Sequence, residues 1–357
     1  MHRLLVALLL STSAVLGYAV SQATAPQPSS AREAPVAAGQ ATMLPLQRGD
    51  FVVAGAPDGA DGAWVLARSE GAEGTSAYHV GVTGVQLRVP LPLTAAGRLG
   101  GIAVDGGTVW AASGQAVVAL EANTGVVVRT LTLPRVAAVA SHAQRTPDGT
   151  VLGLGQATSL AASSDGIWVG RYAAHELTLI DRSGAATPVA LPEDVDAKAF
   201  TVDTVGTVWF TTNFGPTDQL GAFIGRITPA RTVVLIPGVT ASIASGPAGV
   251  QAVGRDWRRL DASARATATR ALPAQTDASA ATVTSTDALV LRGAREAVLH
   301  VYSDTGAEVR RIEYAAGSFL SRAGSLATTA RLQFLFTGAS GTIWFAPEAS
   351  GFIYRAT

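Results

Sequence analysis

The chain has 357 residues, 48% hydrophobic and 15% charged, with 38 Gly, 17 Pro, no Cys and a formal net charge of zero. That balance suits a turn-rich globular chain and argues against disorder or a coiled coil. Zero net charge offers no basic surface for nucleic acid. The lack of cysteine removes thiol nucleophiles, Cys-zinc sites and iron–sulfur clusters.

The N-terminus reads "MHRLLVALLLSTSAVLGYAVSQATA", with one early Arg, an apolar run from Leu4 to about Val20, then small residues. This layout predicts a secretory signal peptide over residues 1–25, cleaved after Ala19, Ser21 or Ala25. An uncleaved single-pass anchor is the alternative, because the run is near the lower limit for spanning. Both readings place the rest outside the cytoplasm, as a secreted, periplasmic or cell-envelope protein. Residues Pro26–Gln40 are rich in Pro, Ala and Ser without an apolar period, which predicts a flexible leader. No later segment is long and apolar enough to span a membrane. Lysine occurs once, at Lys198, beside abundant Arg and Ala, the composition of a GC-rich bacterial genome.

From residue 41 a unit repeats. A small or acidic turn residue, a hydrophobic residue and a Trp recur in "DGAWVLA", "GTVWAAS", "DGIWVGR", "GTVWFTT" and "GTIWFAP", at Trp64, Trp110, Trp168, Trp209 and Trp344. Two weaker copies place Gln251 and Val290 at the Trp position. The spacings are 46, 58, 41, 42, 39 and 54 residues, the size of a propeller blade. Each unit reads as a short apolar strand, the Trp strand, an alternating third strand ending in an Asn/Asp/Ser/Gly turn, and a fourth strand often ending on Pro. Turn residues of that kind tolerate tight hairpins, and Pro belongs at the end of an outer strand because it cannot donate to a ladder. Four antiparallel strands repeated radially predict an all-β, seven-bladed β-propeller over residues 41–357.

The last unit stops after three strands at "GFIYRAT", and "ATMLPLQ" (Ala41–Gln47) resembles the missing outer strand. Pairing the two would close the ring. The recurrent Trp is expected between blades, burying about 150–250 Å2 each. Weaker packing is expected in units five and six, where Gln251 and Val290 replace it. Extra residues at 135–156 and 315–331 are expected as loops on the ligand-bearing face.

The unit Phe200–Gly238, "FTVDTVGTVWFTTNFGPTDQLGAFIGRITPARTVVLIPG", resembles the repeat of the virginiamycin B lyase (streptogramin lyase) family. The units around Trp110, Trp168 and Trp344 resemble it less closely. The resemblance implies a seven-bladed propeller that opens a cyclic depsipeptide by elimination, using His, Glu and a magnesium ion at the central mouth. Repeats of that family usually continue Trp-Phe-Thr-Glu. Here the third residue after the Trp position is Ala67, Ser113, Arg171, Thr212, Gly254, Gly293 or Pro347, and the nearest carboxylate is Glu348, one residue late. No catalytic residue is therefore assigned.

The expected ligand-binding residues lie on the loops between second and third strands: Arg68, Arg171, Tyr172, His175, Asn213, Arg255, Arg292 and Glu348. An Arg there can grip a carboxylate or phosphate as a fork, and His175, beside Glu176, is the one His expected at that mouth. His79 and His300 fall in third strands and His142 in the first insertion, with no zinc-ligand spacing. Glu193, Asp194 and Asp196 offer a hard-cation alternative, magnesium or calcium, but no cofactor is expected. The sequence favours a monomeric module that binds a small molecule, peptide or cell-envelope component without turning it over. The alternative is a metal-assisted C–O lyase or lactone-opening hydrolase acting on a cyclic ester.

Overall fold

The computed structural model describes residues 37–69, 74–94, 100–136, 154–192, 195, 197–212, 223–238, 240–293, 296–315, 317–320, 326–329, 332–348 and 350–357. These form seven four-stranded antiparallel blades plus one short hairpin. The innermost, first strands are Asp50–Pro57, Gly101–Asp105, Ala157–Ser163, Ala197–Val202, Thr240–Gly246, Thr276–Val283 and Leu332–Thr337. Each touches the first strand of the blade before and after it, and the seventh touches the first, so the ring closes around a channel. Glycine permits the closest of these approaches. A Cβ on Gly101 would lie 2.7 Å from the backbone nitrogen of Leu160 in the next blade.

Closure follows the expected pairing. Thr42–Pro45 joins Phe352–Ala356 antiparallel as the outer strand of blade 7, with Leu44 opposite Ile353. The leader differs from expectation at its end. Its last four residues, Ala37–Gln40, form a strand that pairs parallel with Glu308–Glu313, a fifth strand on the outside of blade 6. Gly39 allows the close approach, since a Cβ there would lie 2.8 Å from the Arg310 guanidinium, and only Ala41 separates the two outer strands. The N-terminal segment thus spans blades 6 and 7. Residues 1–36, including the expected signal peptide, lie outside the described residues.

The repeated Trp explains the blade contacts. Trp64, Trp168, Trp209 and Trp344 are at most 1% exposed, and Trp110 is 8% exposed. Each packs against the following blade: Trp64 on Ile102 and Val109, Trp110 on Leu160 and Ile167, Trp168 on Val208 and Phe210, Trp209 on Ile243 and Val250, and Trp344 on Val52 and Val65. Two indole N–H groups are satisfied by the end of the first strand of their own blade. Trp209 donates to Asp203 at 2.9 Å, and Trp168 to Ser163 at 3.2 Å.

Units five and six are not left hollow. Gln251 and Val290 are fully buried. Trp257, from the third strand of blade 5, packs against Ala281, Leu289 and Leu291 of blade 6. Between blades 6 and 7, Tyr314, Phe345 and Tyr354 fill the space beside Val290, with Tyr314 edge-on to Phe345 at 5.0 Å. The aromatic volume has moved to other strands, so the interface is kept while the motif is lost.

The second insertion is partly ordered into a hairpin, Gly317–Leu320 with Leu326–Thr329, where loop alone was expected. Of the first insertion, residues 137–153 lie outside the described residues.

Candidate functional site

Chain direction sets the two ends of the channel. First strands run from the upper end to the lower, so the loops between second and third strands, and between blades, meet at the upper end. A cavity of about 730 Å3 opens there, within the usual range for small-ligand sites. A second space of about 410 Å3 continues it downward, walled by the later residues of the first strands, such as Val104, Ala162 and Val202.

A shared irregularity builds the upper cavity. Every first strand except that of blade 2 slips register against its second strand near its start. Such bulges leave an extra residue outside the ladder and re-aim side chains at rims and sites. In blade 3 the extra residue is Thr158, in blade 4 the slip spans Lys198 and Ala199, in blade 6 it includes Ser279, and in blade 7 it is Gln333. All of them line the cavity. Gln333 also spans the ring closure, its side-chain amide donating to the Val53 carbonyl of blade 1 at 2.6 Å.

Charge in the cavity is sparse and specific. Among the described lining residues, Lys198 is the one cation and Glu348 the one acid. Lys198 is exposed. The hydroxyls of Thr158 and Ser159 are buried without a hydrogen-bond partner among the described residues. The wall itself is polar as well, because each first strand is bonded on one side only and turns its free edge inward.

The residues expected from sequence fall in several places. Tyr172 and Glu348 line the upper cavity. Arg171 is corrected: it is 1% exposed, and its guanidinium donates to Gly155 O at 3.0 Å, Pro134 O at 2.6 Å and Thr178 Oγ1 at 3.2 Å, with Glu176 at 3.9 Å. Burial pushes its pKa down, and the Glu176 charge opposes that. Arg171 therefore clamps both ends of the first insertion to blade 3 and is not presented to a ligand. Arg292 is also buried, 4% exposed, beside Tyr314, whose hydroxyl burial pushes up to about 12.

His175 lies away from the channel mouth. With Glu176, Pro188, Ala190 and Leu191 it lines a shallow cleft on the outer strand of blade 3, at the rim of the ring. Arg68 is half-buried on the second strand of blade 1, and Arg255 is exposed in the tight turn of blade 5. Asn213, Glu193, Asp194 and Asp196 lie outside the described residues, as does His142. His79 and His300 sit in third strands as expected, bonded to Asp58 at 2.9 Å and Glu308 at 2.7 Å.

The donor set does not fit a magnesium ion held by His and Glu. A hard cation wants several oxygen ligands, carboxylates foremost, and the described lining of the upper cavity contains one carboxylate and no His. No group of three His, Asp or Glu side chains converges among the described residues. The Thr158, Lys198, Ser279 and Gln333 set escaped sequence reasoning because a one-residue slip within a strand leaves no mark on an apolar pattern.

Comparison with known proteins places the fold. The chain is similar to a catalytically inactive virginiamycin B lyase from Staphylococcus aureus with quinupristin, at 16% identity over 89% of this chain and 99% of that one, TM-score 0.58. It is equally similar to the Cps50 (Swd1) β-propeller domain of Myceliophteria thermophila, at 9% identity over 88% and 99%, TM-score 0.59. The RRP9 WD40 repeats match at 8% identity over 89% and 97%, TM-score 0.61. No protein-family model matches the chain, and neither does any curated protein. At these identities the likeness is one of fold, shared by propellers of different kinds.

Proposed function

We propose that this chain is an exported binding propeller that takes its ligand at the upper mouth of the channel without turning it over. The observation that carries the reading is the ring of bulged first strands. It brings Thr158, Lys198, Ser279 and Gln333 from four blades to one cavity of about 730 Å3. Bulges recurring at one level of six blades carry a local loss of ladder bonding, and a binding site is the use that loss serves. The layout of residues 1–25 supports export, either with cleavage or as a tethered form.

Among the described residues that line the cavity, Glu348 has no second carboxylate and no His for company, which favours binding over the ester-opening chemistry of the lyase. That chemistry needs a base and a stabilised oxyanion. Ligand-observed NMR against a panel of cyclic and linear peptides, quinupristin among them, tests the reading. The expected result is hits that weaken in Lys198→Gln or Gln333→Ala, with every ligand intact by mass spectrometry. Ring-opened quinupristin would establish the lyase or hydrolase reading instead, and a panel without any hit would remove the site.

A further inference from the structure

We infer that the upper channel captures the free C-terminal carboxylate of a peptide, with Lys198 as its counter-charge. The inference rests on the binding reading above and names its ligand class.

Three observations converge. Lys198, the chain's one lysine, stands on the bulge of blade 4 and is the one cation among the described residues that line the cavity. It makes no hydrogen bond or ion pair among the described residues, and it stays exposed at the mouth. An arriving anion therefore has no internal acid to displace there. A Lys ammonium is a compact point charge on a flexible stem, suited to a carboxylate arriving from solvent.

The second observation is the surrounding hydrogen-bonding surface. The free inner edges of the first strands line the channel below Lys198. Alternating N–H and C=O groups answer a peptide backbone better than a simple acid, and end-group capture is a recurring mode of peptide recognition.

The third observation gives direction. At the lower end, the turns joining first to second strands carry Asp58, Asp61, Asp105, Asp165, Asp203 and Asp287, and no Lys, Arg or His. A carboxylate is repelled from that opening, whereas the described lining of the upper cavity offsets its one acid, Glu348, with Lys198. The peptide end enters from above.

Calorimetric titration of the full chain with acetyl-Ala-Val-Ala, its C-terminal amide, inorganic phosphate and quinupristin tests this. The expected result is that the free acid binds at least about tenfold tighter than the amide, and that Lys198→Gln abolishes the preference without moving the melting temperature. Equal affinity for acid and amide would overturn the inference while leaving the binding reading in place. So would binding of quinupristin alone, since that ring has no free C-terminus to offer. Phosphate that binds and displaces the peptide acid with equal affinity would overturn peptide capture in favour of a simple anion site. If none of the four binds, both readings fall.

Discussion

Trp257 donates its indole N–H to the side-chain oxygen of Gln251 on the neighbouring strand of blade 5. Gln251 stands where five of the other units place Trp, and both residues face blade 6. The amide holds in position the ring that does the packing. One residue has kept the place of the repeat Trp and another has taken over its volume.

Loss of that ring should therefore cost as much as loss of a repeat Trp. Trp257→Ala is expected to destabilise by about 3–5 kcal/mol, the range for a buried aromatic. Gln251→Leu is expected to cost about 1–3 kcal/mol by leaving the indole N–H buried and unpaired. Urea unfolding of the two single variants and the double variant measures both effects. A double variant no worse than Trp257→Ala would confirm that Gln251 acts through the indole, whereas full additivity would contradict it.

The N-terminal segment holds two blades, and each piece should register separately. A chain beginning at Ala41 lacks the fifth strand of blade 6, and one beginning at Leu46 also lacks the closing strand of blade 7. Against a chain beginning at Ala37, the first should melt a few degrees lower and the second lower again, because only the second reopens the ring. Thermal melts that coincide for all three would show that neither strand contributes.

Arg171 is expected to behave as a structural clamp. Replacing it with Leu leaves the Pro134 and Gly155 carbonyls and the Thr178 hydroxyl without their donor, and a buried polar group left unsatisfied typically costs about 1–3 kcal/mol. Limited proteolysis within 137–153 should also become faster. A variant with unchanged stability and proteolysis, but altered ligand binding, would restore Arg171 to the binding surface.

Acid should weaken blade 6 through Glu308. Hydrogen bonds from Arg311, then from His300, hold its carboxyl at about 2, below the reference 4.5, against the opposing effect of burial. A depressed folded-state pKa contributes stability that is present above the unfolded value and lost as pH falls through the folded one. The loss is expected between about pH 4.5 and 2. Glu308→Gln should lower stability at neutral pH and flatten the decline over that window, as followed by denaturant melts at several pH values. An equally steep decline in the variant would assign it to other groups.

The architecture was legible because packing between blades demands a large aromatic at a fixed place, and that demand recurs at blade spacing. Where Trp257 or the Tyr314, Phe345 and Tyr354 group met the same demand from another strand, the motif faded and the fold did not. The site was far less legible. Arg171 looked like a loop residue, but an offset of three from Trp168 in a strand turns it to the opposite face, into the seam with blade 2. His175 lies on the way into the third strand, and that strand carries it outward to the rim. Lys198 and Gln333 reach the channel through bulges, which change register without changing composition.

Ligand binding is expected inside the upper mouth, between the bulged strands. Ser279→Trp is the probe, since Ser279 is exposed and lines the cavity. Ser285→Trp, in a lower turn, is the control. Titrated with whichever peptide binds the native chain, Ser279→Trp should lose binding at an unchanged melting temperature, and Ser285→Trp should retain it. Undiminished affinity in Ser279→Trp would place the binding site elsewhere.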